Sequence, residues 1–277
     1  DTYDKEFNFS IDNYPVTEKS AANRLEEFVE TSISDYKELR DIPSLSSTSN
    51  LSSSFAIGLI TSKQAINQVF SSSDGTGTGQ FAWVNEIIWR EFYKYITYHY
   101  PHVSKGKSFN PKYDLISWRE DEDSFIKWCE GKTGIPIVDA AMRQLNQTKW
   151  MHNRLRMITA MFLSKNLLID WRKGERYFME NLIDGDFCSN NGGWQWSAST
   201  GVDASPYFRI FNPITQSEKF DPDGKFIKNF VPELVECPSN EIHNPSKETR
   251  SSLNYPEMIV DLKSSRLRAI DAFKSIK

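Results

Sequence analysis

Apolar residues recur at helical spacing along most of this chain, whereas no stretch alternates apolar and polar residues over a convincing length. The pattern is most regular in the segment MHNRLRMITAMFLSKNLL, and a first helix follows Thr17, a typical N-cap residue. Pro136 suits the first turn of a further helix. Helices are predicted over 18–39, 80–100, 121–134, 135–145, 151–168 and 194–200, with a last one from about 257. The sequence therefore predicts an all-α, multi-helix fold.

The connections between these helices differ in composition. Residues 41–55 are Ser/Thr-rich, but two apolar helices bound them, so we expect a structured loop rather than a flexible linker. Residues 71–79 are expected at the surface, and 184–193 are predicted to form a Gly- and Asn-rich turn. Four prolines in residues 232–256 favour a covering loop before the last helix.

The length and the start of the chain indicate its domain organisation. A chain of 277 residues can bury roughly three quarters of its unfolded surface, so it can build a core without a disulfide or a metal. Residues 1–16 show no apolar period and are interpreted as a linker or arm, and residues 17–277 as one helical domain. Because the chain starts at Asp1 and not at Met, we expect it to be a piece of a longer protein.

Charge and the supply of metal ligands narrow the classes of function. The net charge is −4, but the first 40 residues hold ten acids against five bases, which leaves +1 on the rest of the chain, so nucleic acid is not excluded. Three cysteines without a CxxC pair and four scattered histidines give no metal-ligand spacing and favour a reducing cytoplasm. No apolar stretch approaches the roughly 20 residues of a membrane helix, so no membrane partner is expected.

The most informative segment is DGDFCSNNGGWQWSASTGVDASPYFRIFNPITQSEKFD, residues 184–221. Its first part packs two acids, two asparagines, adjacent glycines and two tryptophans into a short stretch. Gly192 and Gly193 allow a close backbone approach, and Asn190 and Asn191 supply amide donors and acceptors at the same place. Two interpretations stay open on these residues alone: a ligand site, or a tight interhelical turn whose polar groups are satisfied internally.

This segment resembles the flavin-binding signature of the photolyase/cryptochrome family. Other strings resemble the family in the same order: TSNLS at 48–52, WVNEIIWREFY at 83–93, KTGIPIVDAAMRQL at 132–145 and TKWMHNRLRMITAMFLSKNLLIDWRKGERYF at 148–178. Within the family, the chain is most similar to class I cyclobutane pyrimidine dimer photolyases. The resemblance implies the helical FAD-binding domain, without the α/β antenna domain that precedes it in the family.

The resemblance implies FAD as the cofactor. Arg156 and Asp184 resemble an ion pair beside the flavin ring, Asp186 a contact to the flavin edge or ribose, and Asn190 the residue that faces flavin N5. Asn50 stands where the family often has a basic residue. The residues with FAD-binding counterparts are Tyr36, Thr48, Ser49, Asn50, Leu51, Ser52, Trp83, Arg90, Asn153, Arg156, Asp184, Gly185, Asp186 and Asn190.

Five tryptophans gain roles through the same resemblance. Trp118, Trp171 and Trp194 resemble an electron relay from the surface to the flavin, although isolated tryptophans in a helical protein are more often core residues. Trp89 and Trp196 resemble the pair that sandwiches a nucleotide lesion flipped out of the duplex.

Further residues resemble those around the lesion. Glu86 resembles the carboxyl that contacts the pyrimidine edge, and Asn153 and Met157 line the same hole. A (6-4) photolyase would be expected to have histidines at 153 and 157, so that substrate is disfavoured. The DNA-binding candidates are Arg40, Glu86, Trp89, Arg90, Lys105, Asn153, Arg154, Met157, Trp196, Arg209 and Gln216.

The function that the resemblance implies is light-driven DNA repair by a carbon–carbon lyase. Reduced, anionic FAD would donate an electron to a cyclobutane pyrimidine dimer in UV-damaged DNA, which splits into two pyrimidines. The enzyme is expected to act as a monomer, with an antenna chromophore of open identity in the missing domain. Two alternatives remain: a cryptochrome-type FAD photoreceptor, and a helical domain that has lost flavin. Asn190 favours repair, because plant and animal cryptochromes commonly carry Asp or Cys there.

Overall fold

The structure, a computed structural model, describes residues 14–72 and 77–276, and within these ranges it contains helices and no strand, which confirms the all-α prediction. The arm predicted over residues 1–16 lies outside the described residues except for 14–16. The α-helices are α1 (Glu18–Thr31), α2 (Tyr36–Leu39), α3 (Ser52–Ala56), α4 (Ser62–Ser72), α5 (Thr78–His99), α6 (Glu122–Glu130), α7 (Pro136–Thr148), α8 (Asn153–Met161), α9 (Trp171–Asn181), α10 (Phe187–Ala198), α11 (Pro213–Phe220), α12 (Lys225–Phe230), α13 (Lys247–Ser252) and α14 (Leu262–Lys274).

Two of the predicted helices are interrupted. The helix predicted over 18–39 divides into α1, a 3₁₀ turn and α2. At the break, the Thr31 hydroxyl donates to the carbonyl of Glu27 and contacts the Ser32 hydroxyl. Such local side-chain bonds compete with the helical backbone ladder. The helix predicted over 151–168 ends as an α-helix at Met161 and continues as a π-helical turn over Phe162–Asn166.

Two predicted boundaries are wrong because aspartate N-caps set them. Residues 184–193 do not form a turn: Asp186 accepts a hydrogen bond from the backbone N–H of Ser189 at 2.9 Å, and α10 therefore starts at Phe187. The last helix begins at Leu262, later than predicted, because Asp261 caps it by accepting from Ser264 N–H at 2.8 Å.

The helices enclose two large apolar clusters. The first surrounds Trp128, Trp171 and Trp194 between α6, α7, α8, α9 and α10. The second joins α1 to α5 through side chains that include Phe28 and Trp83, whose ring centroids are 5.4 Å apart. The cavity described below lies between the two clusters, so the packing of both fixes its walls.

Asp139 on α7 is the best-connected buried carboxyl of the first cluster. It is fully buried and accepts hydrogen bonds from the N–H and hydroxyl of Thr133, from the N–H of Gly134 and from the Tyr255 hydroxyl. Burial raises its pKa. These bonds tie the start of α7 to the segment that follows α13, so one side chain fixes the long covering segment on the core.

We expect Asp139→Ala to lower the free energy of unfolding by about 3 kcal/mol or more, because it leaves several buried donors without an acceptor. Chemical denaturation measures the change. The control is Asp123→Ala, which removes an exposed carboxyl paired with Lys127 and should cost less than about 1 kcal/mol. Equal losses for the two variants would contradict the role given to Asp139.

Candidate functional site

A cavity of about 480 Å³ opens between the two apolar clusters. This volume falls within the range typical of small-molecule sites. Its walls come from segments far apart in the sequence, namely α2, α3 with the preceding loop, α5, α8 and α10. The lining residues are Tyr36, Arg40, Thr48, Ser49, Ser52, Phe55, Trp83, Glu86, Ile87, Trp89, Arg90, Tyr93, Asn153, Arg156, Met157, Asp184, Asp186, Ser189, Gly193, Trp196 and Asp203.

Helix α5 supplies the longest wall of the cavity. Trp83, Glu86, Ile87 and Arg90 follow one another at i, i+3, i+4 and i+7, the spacing of one helical face, and all four line the cavity. Trp89 lies at the edge of this face with 37% of its surface exposed. A single amphipathic helix thus presents aromatic, acidic and basic groups to the same space.

Salt bridges hold the charged groups at one end of the cavity. Arg40 donates to Glu86 at 2.5 Å and lies 4.0 Å from Asp41. Asp41 in turn accepts two hydrogen bonds from Arg154, whose guanidinium packs over the ring of Phe220. Arg40, Glu86, Asp41 and Arg154 therefore form one connected chain of charges, which we call the mouth network.

A second ion pair lies deeper. Arg156 on α8 donates to both carboxylate oxygens of Asp184, at 3.0 and 2.7 Å, and to the carbonyl of Met151. The Asp184 side chain is almost completely buried, whereas Arg156 keeps a quarter of its side chain exposed. The guanidinium thus compensates a buried carboxylate and still presents donors to the cavity.

Hydroxyl groups line another part of the cavity wall. Thr48, Ser49 and Ser52 face the cavity at the start of α3. Leu51 occupies the N-cap position of α3 and supplies no side-chain cap to its first turn. Hydroxyls beside an uncapped helix start, together with arginine side chains on the same cavity, are donors that suit a phosphate group.

Helix α10 closes the cavity through Asp186, Ser189, Gly193 and Trp196. Their spacing of three to four residues puts them on one helical face. Gly192, on the neighbouring face, lies against the Tyr93 ring: a Cβ there would be 2.1 Å from Tyr93 Cδ1. The sequence predicted a close approach at the paired glycines, and the structure identifies helix α5 as the element approached.

Asn190 and Asn191 are held from α9. The Asn190 amide donates to the backbone carbonyl of Glu175 at 3.0 Å, and the Asn191 amide donates to the Glu175 carboxylate at 2.7 Å. Burial raises the pKa of Glu175. Gln195 continues the network by donating to Asn191 at 2.9 Å. This polar ladder fixes the orientation of both asparagines relative to the cavity wall.

The three relay candidates, Trp118, Trp171 and Trp194, are buried or half-buried. In the part of the chain that the structure describes, no two of their rings are in contact. Trp194 packs instead on Phe178 and Trp128, with ring centroids 5.0 and 6.1 Å away. The indole N–H groups of Trp118, Trp171 and Trp194 have no hydrogen-bond partner within the described chain, whereas Trp128 donates to the Thr159 carbonyl. The relay remains a prediction.

Eight other predicted site residues do not line the cavity. Leu51 is buried in the second apolar cluster, and Asn50 adopts a positive φ of 50° and accepts a hydrogen bond from Thr48. Arg209 is exposed in a turn, and Gln216 lies half-buried on α11. The other four predicted residues that do not line the cavity are Gly185, Asn190, Arg154 and Lys105.

Several lining residues were not identified from the sequence. They are Phe55, Ile87, Tyr93, Ser189 and Asp203. Tyr93 follows Glu86 by seven residues and Trp89 by four, so helical spacing from the predicted residues would have found it. Asp203 comes from the loop after α10, where no local pattern shows which side chain turns towards the cavity. Burial raises the pKa of Tyr93 to about 12.

Neither a metal centre nor a membrane span emerges from the described ranges. Residues 14–72 and 77–276 contain no group of three or more His, Cys, Asp or Glu side chains that could hold a metal ion. No helix within these residues is both long enough and apolar enough to cross a bilayer.

Known proteins resemble this chain in sequence. A family described as "FAD binding domain of DNA photolyase" matches residues 83–275. The curated "Deoxyribodipyrimidine photo-lyase" of Escherichia coli is 48% identical over 97% of this chain and 58% of its own length. The protein of the same name from Vibrio cholerae is 50% identical over 92% of this chain and 55% of its own length. The chain spans about half the length of the curated relatives it matches.

Solved structures resemble the fold closely. A bacterial class III photolyase from Agrobacterium tumefaciens superimposes with a TM-score of 0.88 at 43% identity, over 94% of this chain and 56% of that one. A Synechocystis cryptochrome superimposes with a TM-score of 0.85 at 30% identity, over 96% of this chain and 58% of that one. A protein named photolyase and a protein named cryptochrome therefore share this fold.

Protonation of His152, beside the mouth network, should make stability depend on pH. Burial lowers its pKa to about 4, and the N–H of Arg154 donates to its Nδ1. Between pH 6.5 and 4 the unfolded chain binds a proton that the folded protein does not, so stability falls as the pH drops. We expect this group to account for about 2 kcal/mol of the loss between pH 7 and pH 5.

His152→Asn tests this expectation, because asparagine can also cap α8 but does not titrate. The variant should lose less stability than the parent between pH 7 and pH 5 when urea unfolding is measured at both. His99→Asn on the surface is the matched control. A pH dependence identical to that of the parent would show that His152 does not carry the effect.

Proposed function

Because this chain belongs to the photolyase/cryptochrome family, as its FAD-binding domain, we propose that it binds FAD and carries out light-driven repair of cyclobutane pyrimidine dimers in DNA. One observation carries the proposal. Most of the residues that resemble the family's flavin contacts, and all five that resemble its lesion contacts, line one continuous cavity. A cofactor and a flipped nucleotide bound in that cavity would therefore be neighbours.

The donor set of the cavity fits FAD. The hydroxyls of Thr48, Ser49 and Ser52 suit the diphosphate, and Arg156 suits a polar or negatively charged edge of the flavin ring. Aromatic and aliphatic side chains, among them Trp83, offer flat apolar surface for ring systems. Asp184 keeps Arg156 in place by two hydrogen bonds, so this positive charge is oriented before any ligand binds.

The lesion side of the cavity has the chemistry that a flipped pyrimidine dimer requires. Trp89 and Trp196 offer partly exposed indole faces, on which bases can stack. Asn153 and Met157 are one helical turn apart on α8 and line the same space. Glu86 provides a carboxylate that can accept hydrogen bonds from a pyrimidine edge, and Arg40 donates a hydrogen bond to the same carboxylate.

Bound FAD in its reduced form would supply the electron for dimer splitting after it absorbs light. The side chains of this chain would position the reactants and stabilise charge. Arg156 can offset negative charge at the flavin, and Glu86 can orient the dimer. The indole faces of Trp89 and Trp196 would exclude water from the flipped bases.

Sequence-independent contacts to DNA would come from the arginines around the mouth. Arg40 and Arg154 belong to the mouth network, and exposed Arg209 follows on the loop after α10. Phosphate contacts of this kind supply affinity without reading sequence, and binding weakens as salt rises. That behaviour suits an enzyme that acts on damage in any sequence.

A cryptochrome-type photoreceptor is the second candidate, since a cryptochrome shares the fold. Asn190 favours repair, and so do the lesion-side residues Glu86, Trp89 and Met157. The discriminating experiment incubates the purified chain with FAD, removes unbound FAD, and then adds an oligonucleotide with one cyclobutane dimer. A flavin absorption spectrum together with loss of the dimer only under blue or near-UV light supports repair. Flavin without repair supports the photoreceptor, and the absence of both supports a helical domain that has lost its cofactor.

Trp89 can be tested by truncation. We expect Trp89→Ala to reduce the preference for dimer-containing over undamaged DNA by about tenfold, because a stacked base contributes about 1 to 3 kcal/mol. Trp89→Phe keeps a stacking surface and should retain most of the preference. Binding titrations with both DNAs measure the ratio. An unchanged ratio in the alanine variant would remove Trp89 from the lesion site.

The relay candidate nearest the flavin can be tested separately from repair. In Trp194→Phe we expect light-driven reduction of bound oxidised FAD to be lost, because a benzene ring is harder to oxidise than an indole. Chemically reduced variant should still repair dimers. Trp128→Phe, which alters the neighbouring core indole, is the matched control and should keep photoreduction. If Trp194→Phe photoreduces at the parent's rate, the relay assignment is wrong.

A further inference from the structure

Three aromatic side chains meet around Phe273 of α14, and one of them is the relay candidate Trp118. The Trp118 ring lies 6.3 Å from the Phe273 ring between centroids, and the rings of Tyr113 and Tyr207 each lie 5.9 Å from the Phe273 ring. Of the three relay candidates, Trp118 alone is not fully buried. The Phe273 cluster, as we name these four rings, therefore places two phenols one ring away from the most exposed relay candidate.

Tyr113 is connected to Trp118 by the backbone as well as through Phe273. It lies on the 3₁₀ turn Pro111–Leu115, five residues before Trp118. The N–H of Ile116 donates to the Tyr113 carbonyl at 3.4 Å, and the N–H of Trp118 donates to the Ile116 carbonyl at 3.1 Å. The ring contacts put the centroids of Tyr113 and Trp118 at most about 12 Å apart. Electrons tunnel between aromatic side chains over such a distance, so the geometry permits electron transfer between these two residues.

Tyr113 and Trp118 differ in whether they can lose a proton. Loss of one electron leaves a positive charge on an indole unless its N–H proton also leaves. The Nε1 atom of Trp118 is buried and has no hydrogen-bond partner in the described chain, so no group there takes its proton. The Tyr113 ring is half-buried, but its hydroxyl makes no hydrogen bond with a described residue and is not one of the buried polar atoms that lack a partner. Tyr113 can therefore release its proton to water when it loses an electron, and its radical is then neutral.

We propose that Tyr113 is the terminal electron donor of the relay, which reduces the Trp118 radical cation and becomes a neutral tyrosyl radical. The inference rests on the proposed function, since it takes light-driven oxidation of Trp118 in the FAD-loaded protein as given. One electron passes from the phenol of Tyr113 to Trp118, and the phenol proton passes to water. The indole of Trp118 is thereby restored. A thiol reductant in solution then returns one electron and one proton to Tyr113.

The electron transfer from Tyr113 opposes recombination. An electron on the bound flavin returns to the relay as long as a tryptophan radical remains to accept it. Once Tyr113 has reduced Trp118, the remaining radical is neutral and lies one further transfer away from the flavin. Tyr113 therefore increases the fraction of flavin that stays reduced after light is absorbed, until a thiol restores the phenol.

The test follows radicals in protein loaded with oxidised FAD after a short flash of blue light, without added thiol. In the parent we expect the tryptophan-radical absorption to decay as a tyrosyl-radical absorption appears, and electron paramagnetic resonance identifies the tyrosyl radical. In Tyr113→Phe the tyrosyl signal should be lost, and less flavin should stay reduced after the flash. Phenylalanine keeps the ring that packs on Phe273, so the fold is preserved.

Tyr207→Phe is the matched control. Tyr207 contacts the same Phe273 ring, but it lies on the loop after α10 and has no hydrogen-bonded backbone connection to Trp118 within the described residues. This variant should keep the tyrosyl signal of the parent. Loss of the signal in Tyr207→Phe with retention in Tyr113→Phe assigns the donor to Tyr207 and overturns the proposal. A tyrosyl signal that persists in Trp118→Phe also overturns it, because Tyr113 would then not be oxidised through Trp118.

Failure of this inference differs from failure of the proposed function. If only the inference fails, the flash produces tryptophan radicals without a tyrosyl radical, or Tyr113→Phe keeps the tyrosyl signal, and chemically reduced parent still repairs dimers under light. If the proposed function fails, chemically reduced parent leaves the dimers intact, whichever radicals the flash produces. Chemically reduced Tyr113→Phe should repair at the parent's rate, because the relay acts before the flavin is reduced and not during dimer splitting.

Discussion

The close approach of α10 to α5 and α9 is the constraint on which the site depends. Two glycines permit it. A Cβ at Gly192 would be 2.1 Å from the Tyr93 ring of α5, and a Cβ at Gly174 of α9 would be 2.1 Å from Cη2 of Trp194. Because one side of the cavity belongs to α10 and another to α5, their separation sets the width of the cavity. The same packing seats Trp194 in the first apolar cluster.

The second constraint on the site is the pairing of its charged side chains with one another. The carboxylates of Glu86, Asp41 and Asp184 each hold an arginine. Taking a carboxylate out of water is costly unless a cation with several donors compensates it, which arginine does. The pairs therefore allow a half-buried cavity to contain acids and bases together, with each guanidinium oriented by hydrogen bonds.

The sequence predicted the helical class from local apolar spacing, and it predicted most of the residues that line the cavity through their resemblance to a known family. Glu86 and Trp83 lie on a clear helical face of α5, and the strings around Arg156 and Asp184 resemble a known family. Boundaries were predicted less well, since the start of α10 depends on the Asp186 cap and not on apolar spacing. The position of Asp203 at the cavity and the pairing of Arg40 with Glu86 depend on tertiary packing. No local sequence pattern predicts such packing.

The shared fold of proteins named photolyase and cryptochrome means that helix packing alone does not decide between repair and signalling. The decision lies with groups that contact the substrate. In the free protein, Glu86 engages Arg40, so a phosphate that binds Arg40 must compete with this carboxylate. A dimer whose edge hydrogen-bonds Glu86 would release Arg40 for the DNA backbone. Under the proposed function, the mouth network would couple lesion recognition to binding of the DNA backbone. Undamaged DNA, which presents no flipped base, would then encounter an Arg40 that is still paired with Glu86.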